Sequence, residues 1–317
     1  MCFSILGTGS AVPDRIVTNN DLSKMVETSD EWIKKRVGVA QRRVCTSENA
    51  IDLGAEAAEK ALESAGVKPE ELDLILVATI SGPYAAPSLA AMVQARIGAS
   101  CPAYDISAAC ASFVFLLETA AGYFARKKVK KVLLVGAEQL SKIIDWSDRS
   151  TCVIFGDGAG AAVLGEGDSY ISSFLHTEGG DDVIKVPTYS GTSPFSTAEE
   201  EKPVINMKGQ ETFKFAVRVM CHDVEKVLAD AGVDKSEVAW VVPHQANLRI
   251  IDFAAKRLGM PQEKFYTNIE HYGNTSSASI PIALDEMNRK GLLKKGDKVV
   301  LTAFGGGLSS AACLVEW

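Results

Sequence analysis

The chain has 317 residues, 47% of them hydrophobic and 23% charged, with a formal net charge of −7. That length suits two packed halves better than one simple core, and an acidic surplus with no Lys/Arg block argues against nucleic acid as a partner. The seven cysteines, Cys2, Cys45, Cys101, Cys110, Cys152, Cys221 and Cys313, are odd in number and contain no C-x-x-C pair; this argues against a disulfide framework and a zinc site and for a reducing, cytoplasmic location.

In chain order, Cys2-Phe3-Ser4-Ile5-Leu6-Gly7 lacks a basic leader and reads as a first strand rather than a signal peptide. No apolar run reaches the ~20 residues of a membrane helix, so no membrane partner is expected. Residues 59–72 (EKALESAGVKPEEL) predict a helix closed by Gly66, then a polar turn and the apolar strand Leu72–Ala78. Residues 105–124 (DISAACASFVFLLETAAGYF) lead through small residues to Cys110 and a helix apolar on nearly every face, which predicts burial between two layers. A thiol at a helix N-terminus meets unpaired N–H groups and a partial positive charge, so a lowered pKa and covalent acyl transfer are expected. Taken alone, Cys110 reads more readily as a small buried hydrophobe, as most free cysteines are.

A polar, Ser/Thr/Pro/Gly-rich stretch, Gly180–Lys202, predicts a surface loop between two halves. Residues 225–238 (EKVLADAGVDKSEV) then repeat residues 59–72 at an offset of 166 (225 minus 59), with Gly232 for Gly66 and the strand Val238–Pro243 for Leu72–Ala78. Carried forward, that offset sets Cys110 opposite Ser276 and Lys131–Gly136 nearly opposite Lys298–Thr302. Two similar α/β halves, 1–170 and 171–317, are predicted. Their strands are apolar throughout, so both sheet faces should be covered.

Three segments could serve the thiol. His244, one of four histidines, follows the second-copy strand, the end at which α/β sheets present functional groups. Asn274 lies in a Gly-Asn turn entering an apolar helix, and Phe304-Gly305-Gly306-Gly307 bares backbone N–H groups to a ligand. A satisfied core histidine, an N-cap and a glycine turn are the alternatives for each alone.

Together these segments resemble the β-ketoacyl-acyl carrier protein synthase III family of thiolase-like condensing enzymes, essentially end to end. The carrying motifs are Thr28-Ser29-Asp30-Glu31-Trp32-Ile33, Ala109-Cys110-Ala111, Phe155-Gly156-Asp157-Gly158-Ala159-Gly160, His244-Gln245-Ala246-Asn247, Gly273-Asn274-Thr275-Ser276 and Phe304-Gly305-Gly306-Gly307. The resemblance implies a thiolase-like α/β fold, two duplicated halves in a layered αβαβα arrangement, and a homodimer. It implies that Cys110 takes an acyl group from acyl-CoA, and that malonyl-acyl carrier protein then loses CO₂ and attacks the thioester. His244 and Asn274 would hydrogen-bond the developing enolate, and the N–H groups of Cys110 and Gly306 would form a second oxyanion hole. No metal or cofactor is implied. Trp32 and Arg149 would sandwich the CoA adenine, Arg36 would meet its phosphates, and Ile154, Gly209, Phe213 and Asn247 would line the pantetheine tunnel. Lys214, Arg249, Lys256 and Arg257 would dock the acidic carrier protein.

The chain departs from the family at Ser112, where Gly is usual, and at Val37, where Thr is usual. Ser112 is expected to narrow the acyl pocket beside Phe304. Ala86 stands where some relatives carry a Phe that closes the partner protomer's pocket, and is expected to deepen it for primers longer than acetyl. A degradative thiolase would need a second cysteine in the late glycine motif, and elongating synthases a second histidine at Asn274. A specialised-metabolite starter synthase or acyltransferase shares all three groups, whereas a non-catalytic carrier-protein-binding subunit would be expected to lose them.

Overall fold

The structure, a computed structural model, describes residues 2–187, 193–195, 197 and 201–317. Two mixed sheets dominate. The first is built from β1 (Cys2–Ala11), β2 (Leu74–Ala78), β3 (Ala103–Ile106), β4 (Lys131–Glu138) and β5 (Gly158–Gly167), in the order β1-β5-β4-β2-β3. The second is built from β6 (Tyr170–Thr177), β7 (Val238–Pro243), β8 (Lys298–Gly305) and β9 (Ser309–Glu316), in the order β7-β8-β9-β6.

The duplication is visible in the pairing. In the first sheet β1 and β4 run antiparallel to β5, while β4, β2 and β3 are parallel. In the second, β6 and β8 run antiparallel to β9, and β8 is parallel to β7. The counterpart of β3 survives as one parallel bridge, Val241 to Phe265, where the first copy pairs Ile75 with Ala103. The helix ends of the repeat also match: Gly66 and Gly232 sit at φ 63° and 64°, the left-handed C-cap that glycine takes without strain.

Among the described residues, seven main helices complete the layers: α1 (Asp30–Arg36), α2 (Ala50–Ala65), α3 (Leu89–Ile97), α4 (Ser112–Ala125), α5 (Gly209–Ala231), α6 (Leu248–Leu258) and α7 (Ser279–Arg289). α2 and α3 cover the outer face of the first sheet, and α5 and α6 that of the second. α4 and α7 lie between the sheets, where Phe113, Leu116, Leu117, Ile280 and Leu284 meet side chains of both. This is the thiolase-type αβαβα sandwich. It explains why α4 is apolar all round: a helix between two sheets has no solvent face, and each large apolar side chain buried there gains roughly 1.5–3 kcal/mol over exposure.

Two expectations need correction. Cys110 lies in a short 3-10 turn, Ala109–Ala111, and Ser276 opens the turn Ser276–Ala278; the helices that follow begin at Ser112 and Ser279. The offset here is therefore 167 (279 minus 112), and Cys110 lies opposite Ser277, not Ser276. The loop expected between the halves instead follows β6, already a strand of the second sheet. Part of it lies outside the described residues, and Ile184–Lys185 within it pairs with Asn206–Met207.

Candidate active site

The two middle helices point their leading turns at each other, because the duplication relates them. Each turn carries a non-glycine residue with positive φ, Ala109 at 48° and Ser276 at 50°. Such backbone is costly for L-residues and is kept where packing over-determines it. Here it places Cys110 and Ser276 on the wall of one cavity of about 960 Å³, together with His244, Asn274, Phe304 and Gly306. Gly305 backs the nucleophile turn, where a Cβ would stand 2.6 Å from the Cys110 nitrogen, so only glycine fits.

Asn274 is held by the Phe155-Gly156-Asp157 segment. The Asn274 N–H donates to the Ile154 carbonyl at 2.9 Å, and the Gly156 N–H to the Asn274 carbonyl at 3.0 Å. Buried Asp157 anchors that segment by accepting from the Cys45 N–H and from Ser141. The Asn274 Oδ1 accepts from the Ser276 N–H at 2.8 Å, so its amide group is the end left to donate.

His244 extends from the end of β7, is 1% exposed, and packs edge-on against Phe304 at 5.4 Å. Its Nδ1 is 2.7 Å from Ser279 Oγ. That hydroxyl accepts from the Gln245 N–H at 3.4 Å, which directs its own proton to Nδ1. The network thus assigns the imidazole proton to Nε2. Burial pushes the imidazole down to about 3, so the ring is neutral.

Cys110 departs from expectation. The residue is partly open to the cavity, yet protein encloses its thiol, and burial pushes the pKa up to about 12 rather than down. The Ser276 hydroxyl opposes that shift and the Glu138 charge adds to it. Desolvation therefore outweighs the helix-terminus effect, and the resting group is a thiol.

The expected CoA-binding residues divide. Ile154, Gly209, Phe213 and Asn247 line the cavity. Trp32, Arg36 and Arg149 do not line it. Asn247 also caps α6 and donates to the Arg36 carbonyl at 3.1 Å, which ties the tunnel to α1. The Arg149 guanidinium lies 5.2 Å from the Trp32 ring centre. Two stacking gaps need about 3.5 Å each, so the expected adenine sandwich is closed and must widen to admit a ring.

One acyl-pocket expectation is corrected. Ser112 is fully buried and its hydroxyl turns back into the nucleophile turn, accepting from the Ala108 N–H at 2.7 Å and donating to the Ala109 carbonyl at 2.6 Å. It lines no part of the cavity. Ala86 is exposed and is absent from its own chain's cavity wall, which Tyr84 and Ala85 reach instead. Phe304 does line it. Lys214, Arg249, Lys256 and Arg257 are all exposed on the packed pair α5 and α6, with Arg249 5.6 Å over the Phe213 ring at the cavity.

Motif reading missed Ser279, Ser276 as a side chain, and Glu138. The signal for Glu138 was available: an acid ending the otherwise apolar strand KVLLVGAE, where a buried charge needs a reason. Ser276 and Ser279, four residues and one residue before the apolar run of α7, carry no comparable pattern.

Comparison with known proteins agrees with this geometry. Residues 104–182 match the family described as 3-oxoacyl-(acyl-carrier-protein) synthase III, and residues 228–317 match its C-terminal part. The chain is 50% identical to beta-ketoacyl-(acyl-carrier-protein) synthase III of Clostridium acetobutylicum, covering 99% of this chain and 98% of that protein. It superposes on 3-oxoacyl-(acyl-carrier-protein) synthase III of Aquifex aeolicus with a TM-score of 0.94 at 43% identity, covering 99% and 100% of the two chains. A priming beta-ketosynthase of a polyketide biosynthetic pathway superposes with a TM-score of 0.93 at 34% identity, covering 99% and 96%. With its paired turns, buried thiol and facing donors, the chain belongs to the 3-oxoacyl-(acyl-carrier-protein) synthase III family.

Proposed function

We propose that the protein carries out an initiating decarboxylative condensation: an acyl-CoA primer and malonyl-acyl carrier protein give 3-oxoacyl-acyl carrier protein, CO₂ and CoA, the opening step of fatty acid synthesis in the cytoplasm. The observation that carries this reading is the meeting of one thiol with two oriented neutral donors, Cys110 with His244 and Asn274, in one cavity. Cys110 accepts the acyl group. Loss of CO₂ from the malonyl thioester builds charge on its carbonyl oxygen, and His244 Nε2–H and the Asn274 amide stabilise it. A neutral ring suits that task, since an imidazole held down to about 3 stays uncharged near neutral pH and keeps its single Nε2–H as a hydrogen-bond donor. The backbone N–H groups of Cys110 and Gly306 serve the tetrahedral intermediates. Loss of CO₂ drives the bond formation, so neither metal nor cofactor enters the scheme.

Trp32, Arg36 and Arg149 take the CoA nucleotide outside the cavity. Lys214, Arg249, Lys256 and Arg257 receive the acidic carrier protein, and the working unit is a homodimer in which Ala86 leaves room for primers longer than acetyl. The test is direct: purified protein, acyl-CoA and malonyl-acyl carrier protein should release CO₂ and form a 3-oxoacyl-carrier product. Acyl transfer without CO₂ release would contradict the condensation and favour the acyltransferase reading.

A further inference from the structure

Arg42 is the largest fully buried side chain among the described residues, and the scheme above leaves it idle. It lies in the short strand Gln41–Arg43, which pairs antiparallel with Ile16–Thr18. Its guanidinium meets oxygens that carry no full charge. Nη1 donates to Asn19 Oδ1 at 2.9 Å and to the Val17 carbonyl at 3.2 Å, and Nη2 donates to the Val153 carbonyl at 2.9 Å. Burial pushes the guanidinium down to about 10, which leaves it charged at neutral pH. A cation taken out of water without a counter-ion is costly, and an apolar side chain would fill the same volume at less expense. The charge is therefore kept for what it holds.

It holds the segment against which Asn274 pairs. Val153 precedes Ile154, whose carbonyl takes the Asn274 N–H, and the Gly156 N–H closes on the Asn274 carbonyl. Phe155 and Asn274 thus form a parallel bridge. Arg42 packs directly against the glycines beside that bridge. A Cβ on Gly156 would stand 3.1 Å from the Arg42 Cβ, and one on Gly273 would stand 3.5 Å from it. The neighbouring Arg43 carbonyl accepts from the Asp157 N–H at 2.8 Å. The segment 153–157 is thus gripped at its start by the Arg42 side chain and at its end by the adjoining backbone.

The geometry demands arginine. One planar fork joins acceptors on two separate segments, 17–19 and 153. A lysine, a point charge on its stem, cannot hold all three at once. Asn19 carries the network outward, donating from Nδ2 to Asp30 Oδ1 at 2.9 Å and to the Val39 carbonyl at 2.8 Å. Asp30 opens α1, the helix of Trp32 and Arg36. Arg42 itself does not line the cavity.

We propose that Arg42 is a positioning residue for Asn274: its fork fixes the Val153–Gly156 segment and so aims the Asn274 amide at the enolate oxygen. The role rests on the condensation reading above. Arg42 touches no substrate and serves the decarboxylation step, not the acylation of Cys110. Misplacing a reacting or stabilising group by about 1 Å can cost on the order of 10² in rate.

The two half-reactions and a double-mutant cycle separate this role from a general structural one. Each variant is acylated to completion with acetyl-CoA, and acyl-enzyme formation is timed by intact mass. The acyl-enzyme is then desalted and mixed with malonyl-acyl carrier protein, and CO₂ release is followed for one turnover per acyl group. Counting acyl groups restricts the rate to folded, loaded molecules. Arg42→Met should slow CO₂ release about 10²-fold and leave acylation within about threefold. Arg42→Lys, which keeps the charge but not the fork, should recover part of the rate. In an Asn274→Ala background either substitution should cost less than about threefold more, because the group that Arg42 aims is already gone. If Arg42→Met fails to fold, Arg42→Lys carries the test on the same terms, with an expected loss of about tenfold. CO₂ release at the wild-type rate, a loss that carries over in full to the Asn274→Ala background, or equal slowing of both half-reactions would overturn the proposal. Acylated wild-type protein that releases no CO₂ from malonyl-acyl carrier protein would overturn the condensation reading and this proposal with it.

Discussion

The Nδ1 of His244 and the Oγ of Ser279 lie 2.7 Å apart, joining the end of β7 to the first residue of α7. The ring proposed to stabilise the enolate is therefore oriented by the same helix whose leading segment carries Asn274. Both donors share one support, so they move together or not at all.

Removing that support should separate donor orientation from nucleophile chemistry. In Ser279→Ala, His244 loses the hydroxyl that assigns its proton to Nε2. Decarboxylation of malonyl-acyl carrier protein is expected to fall on the order of 10²-fold, with acyl-enzyme formation little changed. Ser279→Thr should restore most of the rate. Single-turnover CO₂ release measures it.

Truncating Asn274 tests the second donor. Asn274→Ala should lower decarboxylation roughly 10²–10³-fold while Cys110 still becomes acylated. The Ser276 N–H would lose its acceptor, so a melting curve should accompany the rate. Loss of acylation to the same degree would place Asn274 in the first half-reaction instead.

Acid should unfold the protein partly through His244. Its folded value, about 3, lies below the ordinary 6.5, so the unfolded chain binds more protons between these limits. Stability from this group is complete above pH 6.5 and is lost as pH falls toward 3, with a slope of at most about 1.4 kcal/mol per pH unit. Glu138, raised by burial, acts with the opposite sign above its ordinary 4.5. The clean observable is the difference between wild type and His244→Gln in urea melts across pH 4–7, which should shrink as pH falls.

Ser112→Ala should act on stability and not on selectivity. The hydroxyl bridges the Ala108 N–H and the Ala109 carbonyl, and stranding a buried donor costs about 1–3 kcal/mol. The ranking of acyl-CoA chain lengths should stay as in wild type, because the side chain does not reach the cavity.

Trp32 and Arg149 give a binding readout. Their 5.2 Å contact must open for a ring to enter, so CoA should perturb indole emission in wild type and not in Trp32→Phe. Arg149→Ala should raise KM for acyl-CoA with kcat kept, the mark of binding shared by ground and transition states.

Much of this was legible in the residues. The repeated Ala-Gly-Val helix ends and the apolar strands carried the duplication, since glycine at a left-handed cap and uninterrupted burial leave local marks. Cys110, His244 and Asn274 stood at element junctions, where pattern reading works. What stayed hidden depended on three dimensions. The thiol pKa reversed because enclosure by protein, unlike a helix terminus, has no sequence signature. Ser112 changed role because a short hydroxyl prefers the nearest backbone to open space. The one-residue error in the offset came from the linkers, whose lengths differ slightly between the copies. Ser279 and Glu138 matter only through contacts with residues far along the chain, 35 and 139 positions away.

The most direct measurement is the intact mass of the protein after incubation with acyl-CoA. The account predicts a gain of one acyl group, located on Cys110, absent in Cys110→Ala, and discharged by malonyl-acyl carrier protein with release of CO₂. An adduct that persists in Cys110→Ala, or one that malonyl-acyl carrier protein cannot discharge, would contradict it.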